Sequence, residues 1–323
     1  MDRLHEMLES ERRTRLDFGH RSNAINCENT IFFNKEVTIP ESRGIVYGNH
    51  KKSMNMAQIK RSNMTCNSNT GIFEIIDGRC VIPEGVTMIP DHEFRSIHEL
   101  REVVIPSTVV RIGVSAFEST GLISVRIPSG VLAIMDCAFS DCFGLKEVEL
   151  PESLLVIGNF AFSDCPLRSL KLPEGLVSIG DGAFACGEIA SVTIPANLVS
   201  IGIGAFSHCN NVKRITVDEN NPMYRSVADT CLTKDGKSVV FGCENSVIPE
   251  GVRFISDEAF CGIDGCTDIR IPDGVLFIGS KAFFNALSKR EPVIPDSVTR
   301  IAKDAFCLVN GEKEGGRGDD LPF

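Results

Sequence analysis

Apolar residues recur in this chain with two alternating rhythms. Short runs such as LREVVIP, LISVRIP, LKEVELP, LRSLKLP and IASVTIP alternate apolar and polar positions, the pattern of a strand with one buried face. Each run ends on a proline, which cannot donate the next ladder hydrogen bond. Behind each proline a second apolar set follows at fixed offsets. With Pro83, Pro106, Pro128, Pro151, Pro173, Pro195, Pro249, Pro272 and Pro295 as anchors, the sixth residue on is Ile and the eleventh is Phe in all nine copies. The third is Val or Leu, and Ala precedes the Phe in eight of nine. The anchors are spaced by 22 or 23 residues, apart from one step of 54. A period in the low twenties predicts a solenoid, because a coil of that size cannot bury its apolar side without a stacked neighbour.

Each coil then reads as a strand, a proline, a second short extended segment, and an Ala-Phe pair that starts a single helical turn. Glycine seven places after the proline (Gly113, Gly158, Gly180, Gly202, Gly279) suggests a corner with an unusual backbone angle. The expected fold is a mainly β repeat solenoid, a right-handed coil stack with short parallel strands, single helical turns and one inserted β-hairpin. Its Ile and Phe columns are expected to be fully buried. The domain reading is a non-repeat, partly flexible segment over 1–70, a solenoid over 71–310 with a hairpin insertion at 218–246, and a disordered tail over 311–323.

The repeated phrase resembles the BspA-like, or Treponema pallidum-type, class of leucine-rich repeats, whose units read roughly L-x-x-I-x-I-P-x-x-V-x-x-I-G-x-x-A-F-x-x-C. The resemblance covers residues 80–309 and extends to the terminal Cys of the unit, fourteen places after the proline, at Cys142, Cys165 and Cys209. Departures fall at the ends: Pro90 and Glu93 stand for Gly and Ala in the first copy, and Pro292 interrupts the last strand. The resemblance implies a curved solenoid that serves as a binding surface. It also implies that insertions of the form NPxYxS…KDG belong to the family's habits.

Between Val217 and Ile248 the phrase gives way to DENNPMYRSVADTCLTKDGKSVVFGCENS, where Asp235-Gly236 predicts a two-residue hairpin turn that projects from the stack without breaking it. A second Asp-Gly, Asp77-Gly78, predicts a hairpin covering the N-terminal sheet edge, where bare strands invite aggregation. Upstream, the first seventeen residues suggest a helix with Leu4, Met7 and Leu8 on one side, residues 37–48 a short strand pair, and the basic run after them a linker.

Composition narrows the function classes. Thirty-three Lys and Arg against 43 Asp and Glu give a net charge of -10, the wrong sign for a nucleic-acid binder. The charge divides as +3 over residues 1–70 and -13 over the rest. The charged N-terminus lacks the apolar core of a secretory signal, and no run reaches the roughly 18 apolar residues of a membrane span. The expectation is a cytoplasmic protein with no membrane insertion, with the cell surface as the alternative. Thirteen irregularly spaced cysteines argue for reduced thiols over a disulfide framework.

Chemistry-bearing constellations are sparse. No His pair has metal-ligand spacing, and Cys137/Cys142 and Cys261/Cys266 lack a matching second pair, so no metal or cofactor is expected. Cys142, Cys165, Cys186 and Cys209 form a ladder that reads as buried small hydrophobes. Gly202 and Gly204 echo a dinucleotide fingerprint without its third glycine, and His208 beside Cys209 suggests a thiol nucleophile without an orienting group. Arg317, Gly318 and Asp319 spell a possible adhesion word in the tail.

The strand face offers two outward columns, Glu102, Ser124, Glu147, Ser169, Ser191 and Val104, Arg126, Glu149, Lys171, Thr193, with Arg126, Glu149 and Lys171 placed for an ion ladder. These residues are the candidate protein-binding set. The expected function is a non-enzymatic module for protein–protein interaction. The alternatives are an adhesin for a host protein or glycan, and, further off, a thiol or hydrolytic enzyme on a repeat scaffold.

Overall fold

Each proline of the phrase opens a tight turn. The N–H three residues on returns to the proline carbonyl in all nine copies, at 3.0 to 3.4 Å. The computed structural model describes residues 65–264, 269–286 and 293–306. The proposed N-terminal helix, the 37–48 strand pair, Pro292, Cys266 and the 311–323 tail lie outside them. The copies are coils 1 to 9, from Pro83 to Pro295.

After the turn, the two residues ending on the invariant Ile form a minimal strand. Met88–Ile89, Arg111–Ile112, Ala133–Ile134, Val156–Ile157, Ser178–Ile179 and Ser200–Ile201 stack as one parallel sheet in which Ile faces Ile in the next coil. Beneath it the Phe column runs coil to coil with ring centroids 5.0 to 5.6 Å apart from Phe94 to Phe206. Two rings outside the repeat extend it: Phe73 stacks on Phe94 at 5.6 Å, and Phe241 packs on Phe206 at 4.8 Å with its plane tilted by 34°. Burying one such ring stabilises by about 1.5–3 kcal/mol, so the columns hold the stack. They open at Ile201, which is partly buried beside the insertion, and most at the far end, where Ile301 is 38% exposed and Phe306 is partly buried. The outer side of that coil faces no further described coil, so the expectation of full burial fails there.

No helix occurs among the described residues, and the single helical turn expected at Ala-Phe is a pair of β-turns. In coils 1 to 8 the residues nine and thirteen places after the proline take φ between 50 and 65°. Two left-handed residues flanking the Phe stop a helix from propagating. They also turn alternate peptides toward the next coil. In coils 1 to 5, the N–H groups at offsets 9, 11 and 13 donate to the carbonyls at offsets 8, 10 and 12 of the next coil, at 2.7 to 3.0 Å.

The glycine at offset 7 has a different cause from the one its sequence suggested. None of Gly113, Gly158, Gly180, Gly202 and Gly279 has a positive φ. Each lies against an Asx side chain of the preceding coil (Asp91, Asp136, Asn159, Asp181, Asp257), and an added Cβ would collide with that Oδ1. The same Oδ1 accepts the N–H of the residue after the glycine at 2.7 to 2.9 Å. Where the upstream residue is Val114 or Ser280, the downstream position is Met135 or Ala302. Glycine here makes room for a cross-coil carboxylate or amide.

The first hairpin, Glu74–Ile76 and Arg79–Val81, turns through Asp77 (φ 51°) and Gly78 (φ 76°) and joins the strand Glu102–Val104 in parallel, as expected of an edge cover. Asn69 completes the cover by donating its amide to the carbonyls of His92 and Arg95 at 2.8 and 3.0 Å.

The insertion corrects the expectation of a projecting hairpin. Tyr224–Val227, Thr230–Thr233 and Ser238–Phe241 form an antiparallel meander whose last strand pairs in parallel with Phe254–Ile255 and, through it, with Phe277–Ile278 and Arg300–Ile301. The meander is part of the stack: Cys231, Leu232 and Val239 are fully buried. Asp235-Gly236 turns the chain as part of a four-residue connection, Lys234 to Lys237, closed by the Gly236 N–H on the Thr233 carbonyl at 2.8 Å. The parallel Ile ladder is broken there, and the apolar core divides into two clusters that meet at the meander.

Candidate protein interface

The strands before the prolines present one face to the core and one to solvent. In Glu102–Val104 and Ser124–Arg126 the central valine is buried and its neighbours are exposed, and Ser191–Ile194 alternates in the same way. The outward residues thus form columns as expected: Glu102, Ser124, Glu147, Ser169 and Ser191 in one, Val104, Arg126, Glu149, Lys171 and Thr193 in the other, all exposed. Arg79 and Val81 extend the columns at one end, and Arg214 and Thr216 at the other. The pre-proline offset could have found Arg79. Arg214 and Thr216 precede Asp218 rather than a proline, and only their alternation marks them.

Neighbouring coils pair these side chains, but no continuous ion ladder forms. Arg79 bonds Glu102 at 2.9 Å, Arg126 bonds Glu149 at 3.2 Å, and Thr193 and Thr216 share a hydroxyl hydrogen bond of 2.9 Å. Lys171 turns to Glu152 at 3.5 Å instead of Glu149. The backbone explains the break: residues 169–171 form no strand, and the face consists of separate pieces, with Ser124–Arg126 paired to Glu147–Glu149 and Ser191–Ile194 to Arg214–Val217. The Arg126–Glu149 side chains are 84% and 72% exposed, so the pair is worth no more than about 1 kcal/mol.

The cysteine column has a structural task beyond filling space. Cys142, Cys165 and Cys209 donate their thiols to the carbonyls of Phe117, Phe139 and Phe184 in the preceding coil, at 3.0 to 3.1 Å. Burial pushes Cys209 up to about 12 and Cys165 well above the ordinary thiol value. Cys186 stands one offset earlier, is exposed, and is pushed up to about 11 by burial and the nearby Asp164. His208 does not face Cys209. Its Nε2 lies 3.5 Å from Sγ of Cys261, which burial raises to about 12. Thiols held this firmly protonated are poor nucleophiles. Gly202 and Gly204 occupy the corner and turn of coil 6 and form no phosphate loop. Among the described residues, no group of three or more His, Cys, Asp and Glu is arranged to hold a metal ion, and no helix is long and apolar enough to cross a membrane. Arg317, Gly318 and Asp319 lie outside the described residues.

Among solved structures, a leucine-rich repeat protein from Eubacterium ventriosum aligns over 66% of this chain and 67% of its own, at 23% identity and a TM-score of 0.57. A leucine-rich cell surface protein from Faecalibacterium prausnitzii aligns over 79% of this chain and 86% of its own, at 26% identity and a TM-score of 0.54. No curated protein matches the chain. The family model described as BspA type leucine rich repeat region matches residues 34–143, 112–231 and 240–313 in six copies, beginning inside the stretch whose sequence reads as non-repeat. With a matching phrase, coil geometry and family model over most of its length, the chain belongs to the BspA-type leucine-rich repeat family.

Proposed function

We propose that this protein is a non-enzymatic scaffold that binds another protein through the outward strand columns of coils 1 to 6. The observation that carries the reading is the contrast along those strands. Val103, Val125 and Val192 are buried and Val148 and Leu170 pack against the core partly buried, while Glu102, Ser124, Glu147, Ser169 and Ser191 stand exposed at coil spacing. A rigid polar array of this kind loses little entropy on binding. The hydrogen-bonded thiols of Cys165 and Cys209, held protonated by burial, support the non-enzymatic part. A photo-crosslinking residue at Ser169 should capture a discrete protein in the native cell, and one at Glu174, exposed on the turn after Pro173 and off the strand columns, should not. Capture only from positions off the strand face would overturn the assignment.

The working compartment is proposed to be reducing. Seven of the described cysteines are buried, and Cys142, Cys165 and Cys209 donate their thiols to backbone carbonyls. The surface reading, an adhesin for a host protein or glycan, is favoured by the Faecalibacterium prausnitzii relative being a cell surface protein. Rapid alkylation of protein from its native source separates the two. Near-complete thiol labelling after denaturation fits the interior, and paired cysteines fit the surface.

A further inference from the structure

The edge of the stack formed by the β-turns differs from the strand face in charge. Residues 114–119, 136–141, 159–164 and 181–186 hold five acids (Glu118, Asp136, Asp141, Asp164, Asp181) and no Lys or Arg. Glu118 is neutralised by Arg95 at 2.8 Å. Asp141, Asp164 and Asp181 have no ion-pair partner among the described residues. Asp181 accepts the Ile203 N–H at 2.7 Å and Asp164 the Ser163 hydroxyl at 2.8 Å, neutral donors that orient a carboxylate and leave its charge in place.

Phe160 stands in the middle of this strip, at offset 9 of coil 4. The coil requires φ near +54° there, a region that bulky side chains avoid. The equivalent positions hold His92, Ser115, Cys137, Gly182, Gly204, Glu258 and Lys281, so Phe160 is the one large apolar side chain among them. The ring is 47% exposed, and the stack therefore gains little from it. It lies over the next coil at Gly182, where any side chain would run into the ring. An aromatic ring is thereby seated on a glycine floor, with unneutralised carboxylates in the coils on both sides.

We propose that this turn edge, centred on Phe160, is a second docking surface for a basic segment of a partner protein, with an Arg or Lys side chain over the ring. Charge complementarity selects the occupant: a cation gains from the face of the ring and from Asp141, Asp164 and Asp181. An anionic or purely apolar partner gains from only part of the surface. The proposal is independent of the strand-face reading, because the two surfaces are built from different offsets.

The test is fluorescence polarisation of the folded full chain with labelled octa-arginine, and with octa-citrulline as its neutral isostere. Octa-arginine should bind in a salt-sensitive manner and octa-citrulline should not. Phe160→Ala and Phe160→Leu keep the net charge, and each should weaken binding about three- to fivefold with melting unchanged or raised. Asp141→Asn with Asp164→Asn should weaken it further, while Glu147→Gln with Glu149→Gln on the strand face should have a clearly smaller effect. Equal binding by the Phe160 variants, or equal loss from the two acidic pairs, would leave only diffuse attraction to an acidic protein and overturn the site. A strand face that proves inert in crosslinking leaves this outcome untouched.

Discussion

Coils 2 to 5 and the meander at 218–246 meet the same structural requirement with different residues. In the regular coils the main interior positions are supplied from fixed offsets, and each coil offers the next the Ile and Phe that it received from the last. At the meander those offsets are gone, yet the columns are still occupied. Phe241 takes the place of the next ring, tilted instead of stacked, and the Tyr224 hydroxyl accepts the Ile201 N–H at 3.1 Å where a strand would have continued the ladder. Asn221, fully buried, bonds the carbonyls of Pro195 and Leu198 at 2.8 and 2.9 Å and closes coil 6. The repeat is therefore a consequence of what a neighbouring coil demands. A different chain segment can satisfy that demand, at the cost of dividing the core.

The largest effect expected from this contrast comes from the Phe column. Phe162→Ala in a regular coil should cost about 3–5 kcal/mol and lower a single cooperative transition. Phe241→Ala removes the same ring from the junction of the two clusters, and calorimetry should show it separating the melting of residues 73–243 from that of the later coils. A parent-like melt for Phe162→Ala would contradict the stacking account.

Alkaline pH comes next. Cys209 keeps its proton to about 12 in the folded protein, whereas an unfolded thiol loses it near 9. Between those values the unfolded chain binds fewer protons, so stability is complete below 9 and falls as pH rises, by about 1.4 kcal/mol per pH unit for each such thiol. Urea midpoints at pH 8, 9 and 10 should show this slope, and Cys209→Ala should reduce it by one thiol's share, leaving that of the other raised thiols such as Cys261. Cys165→Ala should cost about 1 kcal/mol by leaving the Phe139 carbonyl one donor short, and Cys165→Ser should recover part of it. The smallest effect belongs to the strand face, where a double-mutant cycle on Arg126 and Glu149 should give a coupling of about 0.2–1 kcal/mol.

The coil boundaries, the Asp77-Gly78 turn and the exposed strand columns were legible because each rests on a local rule: a proline stop, a left-handed dipeptide, alternation. The two-turn conformation around the Phe was not, because Ser115, Cys137 and Phe160 are unusual residues for positive φ, and the cause is hydrogen bonding to a coil 22 or 23 residues away. Phe73 and Phe241 escaped because they sit at no repeat offset. The reason for Gly158 became visible only with Asp136 beside it, although the pairing of Asx in one coil with Gly in the next could have been read from the chain. At the candidate site, the positions were legible and the pairing was not: Glu152 lies outside the strand columns, and its capture of Lys171 depends on a coil that forms no strand.

That Asx–Gly pairing gives the most direct test of the claim that the phrase repeats because each coil meets the same neighbour. Gly158→Ala alone should destabilise by about 1–3 kcal/mol, since its Cβ would meet the Asp136 side chain and backbone. Asp136→Ala alone should cost about 1 kcal/mol through the lost acceptor for the Asn159 N–H at 2.9 Å. In the double variant the collision with the carboxylate is gone, and denaturant titration should find it more stable than the sum of the two losses predicts. Strict additivity would mean that the glycine does not answer to the neighbouring coil, and would contradict the account.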